Sequence, residues 1–276
     1  MKNTDWKETI WHRWLNRPYR LSKVIDENSA SSAQNTIVFL HGIASSADVW
    51  RRTIKHLEPT NARLVAFDLL GFGTSPKPRW ISYSAEDHAK AIIAALRTHN
   101  INRCVLVGHS MGCLVAVQVA KQRPDLVSHL VLYEMPIYQG LPAKRRYAKR
   151  RDLYYLMYQK IVDMPELILM SRQALRNTVA KLSGFEISPQ SWLPFTRSLK
   201  NTIVEQTTLD DMRHISTPTD VIYGSLDMLV IKGNPKKIFG NDHTNVKTHT
   251  ITNIHAVTAR ASRFLAKHLR ALLAAS

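Results

Sequence analysis

Apolar residues fall into two patterns along this chain. One is a set of short runs that stay apolar instead of alternating: Thr36–Leu40, Arg63–Phe67, Cys104–Val107, His129–Tyr133, Asp220–Tyr223 and Val246–Ile251. Runs of this kind suit strands buried on both faces of a parallel sheet. Tyr19–Asp26 alternates more and predicts an antiparallel edge strand. The second pattern has helical spacing and covers Ala47–Leu57, Ser84–His99, Ser110–Arg123 and His255–Ala274. Ser84 offers a capping hydroxyl ahead of Glu86 and Asp87, a helix start, and Pro124 stops the helix that follows Ser110. Strands alternating with helices at this spacing predict a doubly wound α/β sheet.

The alternation lapses over 136–212, where Asp152–Met164, Pro165–Leu182 and Pro189–Met212 read as helices. The expected organisation is a core built from 1–135 and 209–276, with a helical cap inserted over 136–208.

Composition narrows the class. Hydrophobic residues make up 45% of the 276 positions and charged residues 21%, enough apolar surface to exclude intrinsic disorder. Cys104 and Cys113 are too few for a disulfide framework or a four-cysteine zinc site, and no metal or cofactor is expected. The N-terminus lacks the apolar core of a leader, and Val105–Ala120 is too short and too broken by Gly108, His109, Ser110 and Gly112 to span a bilayer. A soluble, cytoplasmic protein is the expectation.

The net charge is +17, and residues 136–200 carry +8 of it. Lys144–Arg151 opens the expected cap with six basic residues, followed by Tyr154, Tyr155 and Tyr158. Such a helix could meet an anionic membrane surface, nucleic acid or an anionic substrate. A solvated helix face is the favoured reading, membrane contact comes behind it, and nucleic acid is disfavoured.

The sharpest chemical signal is Gly108-His109-Ser110-Met111-Gly112, a G-x-S-x-G between a strand run and a helix. A serine at such a turn is thrust out at the C-terminal edge of the sheet, and small neighbours let the turn close. The following helix N-terminus favours developing negative charge.

On these residues, and on others in order, the chain resembles the α/β-hydrolase superfamily. His41-Gly42 resembles the loop that supplies an oxyanion-hole amide, here from Ile43. Asp68-Leu69-Leu70-Gly71-Phe72-Gly73-Thr74-Ser75 is similar to the family's D-x-x-G-x-G-x-S segment. Tyr223-Gly224-Ser225-Leu226-Asp227 resembles the turn that carries the triad acid, and His255 stands where the family's histidine stands. Cys113 and Ile254 replace glycines common in the family.

The resemblance implies a Ser110–His255–Asp227 triad, with Ile43 and Met111 amides as the oxyanion hole. It also implies acyl transfer on a small ester, lactone or related substrate. Glu134 rivals Asp227 as the acid and His249 rivals His255 as the base. His41 and His109 are expected to be structural, and Cys113 a packed small hydrophobe. The rival functions are a carbon–carbon bond hydrolase, a thioesterase, a proline-type aminopeptidase and a hydrolase-like receptor without turnover.

Overall fold

The computed structural model describes residues 6, 9–15, 17–29, 35–138, 152–153, 156, 159–160, 188–230 and 244–275. Lys144–Arg151 and Pro165–Leu182 lie outside them. Of Asp152–Met164 only Asp152, Leu153, Leu156, Gln159 and Lys160 are described, and all five are helical.

Among the described residues seven strands form one sheet: β1 (Lys23–Glu27), β2 (Thr36–Leu40), β3 (Arg63–Phe67), β4 (Cys104–His109), β5 (Val127–Tyr133), β6 (Thr219–Gly224) and β7 (Val246–Ile251). Their order is β1-β3-β2-β4-β5-β6-β7. Only the β1–β3 pairing is antiparallel. The apolar runs of β2 to β6 became parallel strands and the alternating one the antiparallel edge, whereas β7 (VKTHTI), mostly polar and only partly buried, is the parallel strand at the other edge. All six residues of β4 are buried, as a strand covered on both faces requires.

The helices are α1 (Arg51–Leu57), α2 (Ala85–Thr98), α3 (Met111–Gln122), α4 (Trp192–Ser198), α5 (Thr208–Met212) and α6 (Ala259–Ala274). The Ser84 hydroxyl accepts from the Asp87 amide at 3.2 Å, the cap its position suggests. The expected His255–Ala274 helix starts late, at Ala259, because Thr258 caps it by accepting from Ala261 N–H. His255 is thereby left on a loop.

Each strand sends alternate residues to two cores. Val38, Leu40 and Leu106 join residues of α2 and α3 on one face, while Ile37, Phe39 and Val107 join Ala261, Leu265 and Leu269 of α6 on the other. The described part of the expected insertion packs on the first face: Phe195, Leu199 and Ile203 belong to that core, as do Leu209 and Met212 just beyond it. Asp211, 2% exposed, anchors α5 by accepting from Gln118 (2.5 Å), Lys121 (2.5 Å) and the Thr207 hydroxyl (2.6 Å). Among the described residues no helix is long and apolar enough to cross a membrane.

The chain runs outward from β2 to β3, then crosses back to place β4 on the other side of β2. The loops after β2 and β4 thus diverge at a topological switch point, where open α/β sheets form a crevice.

Three fully enclosed histidines set an acid limit on this fold. Burial lowers His41 and His88 to about 4 and His109 to about 3. Native His88 is held neutral between Phe72 and Tyr83, with its Nε2 3.1 Å from Ser198 Oγ. The unfolded chain takes up these protons from about pH 6.5 downward, whereas the folded chain does not until about pH 4. Stability is therefore complete above pH 6.5. It falls toward pH 4 by up to about 1.4 kcal/mol per pH unit for each group. Urea midpoints across pH 5–7 should show this decline, with a slope one proton shallower in His88→Gln; a flat wild-type profile would contradict it.

Candidate active site

Gly108 and Gly112 bracket the turn after β4 because no side chain fits there. A Cβ on Gly108 would lie 2.6 Å from the Gly112 carbonyl oxygen, and one on Gly112 would lie 2.5 Å from that of Leu40. Ser110 between them has φ 52° and ψ −121°, a left-handed conformation that L-residues rarely hold. Its amide donates to Tyr133 O at 3.0 Å and its carbonyl accepts from Cys113 N–H at 2.9 Å, tying the turn to β5 and α3. Cys113, fully buried, directs its thiol to the carbonyls of Gly108 (3.1 Å) and Tyr133 (3.2 Å). Burial pushes that thiol well above its ordinary range, which keeps it neutral. It is a packing and capping group under the serine.

Ser110 Oγ lies 2.9 Å from His255 Nε2, and His255 Nδ1 lies 2.8 Å from Asp227 Oδ2. These are the three residues the sequence set apart, separated by 117 and 28 positions in the chain. Asp227 is 4% exposed, and its Oδ1 accepts from Leu229 N–H at 2.7 Å. Burial raises its pKa, but hydrogen bonds from His255 and Glu134 outweigh that and hold it down to about 2. It is anionic at neutral pH, and an anion at that oxygen fixes the His255 proton on Nδ1. Nε2 then presents its lone pair to the Ser110 hydroxyl.

His249, the rival base, lies in β7 and bonds Asp220 instead. Glu134, the rival acid, ends β5 with φ 54° and is fully buried. Its Oε1 accepts from Gly224 N–H at 2.7 Å. Glu134 therefore braces the turn that carries Asp227, while Asp227 is the acid on the histidine.

The loop after β2 closes over the elbow. Gly42 has no room for a side chain's full reach, since its Cβ would lie 3.2 Å from Ser110 Cβ. Ile43 follows it, so this backbone and the start of α3 at Met111 flank the serine. His41 shapes the loop from beneath: Leu69 N–H donates to Nε2 at 2.9 Å, so Nδ1 carries the proton and donates to Gly42 O at 2.7 Å. His109 donates from Nε2 to His255 O at 2.7 Å. Asp68 occupies the space over Gly73 and accepts from Ala47 N–H (2.8 Å), Thr74 N–H (2.7 Å) and Thr74 Oγ1 (2.9 Å).

Two supporting residues carried no sequence signal. Asn253 Nδ2 donates to Tyr133 Oη at 2.5 Å and to Ala256 O at 2.9 Å, and its Oδ1 accepts from Thr258 Oγ1 at 2.6 Å. Tyr133 Oη in turn donates to Ala256 O at 3.1 Å. Together they hold the loop on both sides of His255. Only folding brings 133 and 253 together, so no local pattern announces them.

A family model described as alpha/beta hydrolase fold matches residues 35–157. The enol-lactonase from Burkholderia xenovorans LB400 superposes with a TM-score of 0.66 at 17% identity, over 92% of this chain and 96% of that one. The chain has the α/β-hydrolase fold, and the family match covers a little under half of it. Among its relatives, "Probable lysophospholipase BODYGUARD 4" of Arabidopsis thaliana is 34% identical over 114 residues, 41% of this chain and 27% of that protein. The karrikin insensitive 2 receptor CA of Petunia hybrida is 26% identical over 216 residues, 72% of this chain and 76% of that one. The chain spans only 27%, 31% and 29% of the first three curated relatives it matches.

Removing the brace under Asp227 tests its role. Glu134→Ala leaves the buried Gly224 amide without its acceptor and should cost about 1–3 kcal/mol in denaturant unfolding. Glu134→Gln retains an acceptor and should cost less. Equal losses would mean that the Gly224 contact contributes nothing.

Proposed function

We propose that the chain is a serine hydrolase that cleaves a small carboxylic ester or lactone through an acyl-enzyme. The observation that carries this reading is the continuous relay from Ser110 Oγ through His255 to Asp227, at 2.9 and 2.8 Å. Both distances lie within the reach that proton transfer and imidazole orientation need.

In this reaction Ser110 Oγ attacks the acyl carbon as its proton passes to His255 Nε2. Asp227, kept anionic, stabilises the imidazolium. The carbonyl oxygen gains the electron pair, and the amides of Ile43 and Met111 receive that charge beside the N-terminus of α3. Collapse of this intermediate expels the alcohol, which takes the proton from His255. Water then repeats the sequence on the acyl-enzyme with His255 again as base, releasing the acid and restoring Ser110.

Names support acyl chemistry: one relative in sequence is called "Probable lysophospholipase BODYGUARD 4", and an enol-lactonase shares the fold. The receptor relative supports a second reading, a pocket that binds without turnover. In either case the helical segment over 136–208, with its basic run, is the part proposed to cover the pocket and select the ligand.

A fluorophosphonate probe distinguishes the readings. Wild-type protein should be labelled at Ser110 and Ser110→Ala should not be. On p-nitrophenyl esters Ser110→Ala should lower kcat on the order of 10⁶-fold, and Asp227→Asn on the order of 10⁴-fold. Wild-type protein that resists the probe and turns over no ester or lactone would establish the binding reading instead.

A further inference from the structure

A second polar cluster sits near the opposite end of β6, away from the triad. Asp220 is the second residue of that strand and is 2% exposed. Three histidines converge on its carboxylate. His129 Nε2, from β5, lies 2.7 Å from Oδ2, and His249 Nε2, from β7, lies 2.7 Å from Oδ1. His268 Nε2, from α6, lies 3.1 Å from Oδ2. The strand register explains the convergence. Asp220 pairs with Val131 and Lys247, so His129 and His249 stand two residues along the neighbouring strands on the same face. Helix α6 covers that face and lowers His268 onto it.

Hydrogen bonding alone accounts for two of these histidines but not the third. His268 Nε2 is buried and has no partner at hydrogen-bonding geometry, although a carboxylate oxygen is 3.1 Å away. If it carries a proton, that N–H is misdirected. If it carries a lone pair, the pair faces an anion. A cation shared by the carboxylate and the ring resolves either conflict. The Phe264 and His249 rings flank His268, with centroids 6.1 and 4.8 Å from it, and limit its movement.

We propose that Asp220, His249 and His268 bind a divalent transition-metal ion, with Zn²⁺ favoured. One ligand atom from each of the three lies within 4.8 Å of the others. Ligand atoms about 2.0–2.2 Å from a tetrahedral zinc stand roughly 3.3–3.6 Å apart, so a pair near the 4.8 Å limit must close by about 1.4 Å, shared between two side chains, to seat the ion. Two imidazoles and one carboxylate are a borderline donor set that suits zinc better than the oxygen-seeking Ca²⁺ or Mg²⁺. His249 and His268 would coordinate through Nε2 with their protons on Nδ1. His129 would keep its hydrogen bond to the carboxylate and orient it. Water takes the fourth position. The ion would join β6, β7 and α6, and its role is to fasten that helix, with no part in acyl transfer.

Full-length protein stripped with a chelator and titrated with Co²⁺ should take up one ion per chain and develop the visible absorption of tetrahedral cobalt. Zn²⁺ at about 100 times its dissociation constant should raise Tm by roughly 5–10 °C. His249→Gln/His268→Gln should lose both effects, while His255→Gln, which removes the triad's own histidine, should keep them. X-ray absorption of the zinc-loaded wild type gives a readout independent of any variant. It should show nitrogen or oxygen neighbours at about 2.0–2.1 Å, two of them from imidazole. No cobalt spectrum, or one that persists in the double variant or vanishes in His255→Gln, would overturn the proposal.

Discussion

The turn at Ser110 is the constraint on which the rest of the site depends. A non-glycine residue at φ 52° and ψ −121° costs on the order of 1–3 kcal/mol, and nothing local to the pentapeptide recovers it. The compensation comes from both sides. Strand β4 is buried along its whole length, and α3 is apolar and buried from Met111 to Ala120. Strand and helix cannot both pack unless the chain reverses between them in very few residues. The glycines then serve contact as much as flexibility, because Gly112 lets α3 approach within a carbonyl's reach of β2. A strained serine is the residue that this close packing leaves outside.

The other groups are arranged around that fixed point by consecutive strands. Tyr133 and Glu134 end β5, Gly224 ends β6, and Asn253 and His255 follow β7. The Ser110 amide bonds Tyr133 O, the Tyr133 hydroxyl holds the His255 loop, and the Gly224 amide bonds Glu134. Hydrogen bonds to the backbone thus set Ser110, Asp227 and His255 in one frame, and the side-chain relay is read out from strand register. This is why Glu134 and Asp227, both buried acids at strand ends, have separate duties. The first spends an oxygen on a neighbouring backbone amide, and the second turns one toward an imidazole.

How much of this the sequence discloses depends on whether the signal is local. Unbroken apolar runs declared the inner parallel strands, since a strand covered on both faces has no reason to alternate, while the edge strand β7 alternates. The serine turn was legible because its glycines and its flanking strand and helix lie within about twenty residues. The order of Ser110, Asp227 and His255 was legible through resemblance, and their distances were not. Tyr133 with Asn253, and Asp211 with Gln118, were hidden because such pairings depend on register between distant segments. Asp227 was preferred to Glu134 through the resemblance of its turn, but the 2.8 Å contact with His255 depends on where that turn aims the side chain. His249 was correctly placed in a strand by its alternation, but nothing in its neighbourhood named Asp220 as its partner.

Helix α6 connects the cluster around His255 with the cluster around Asp220. Its cap, Thr258, accepts from Ala261 N–H and donates to Asn253, which also grips the carbonyl of Ala256. Two and a half turns later His268 reaches Asp220 near the other end of β6. Ala261 and Leu265 between them, and Leu269 just beyond His268, are buried in the core on that face of the sheet. A helix fixed in this way moves as a rod, so whatever holds His268 also limits how far the loop before Thr258 can drift. Displacing His255 by 1 Å would break its 2.9 Å contact with Ser110, and under the proposed hydrolase reaction a misplacement of that kind is worth about 10²-fold in rate. The position of the base is thus set from both ends of one helix. The near end is held by a hydrogen-bonded loop, and the far end is buried against a carboxylate that no strand requires for its own pairing.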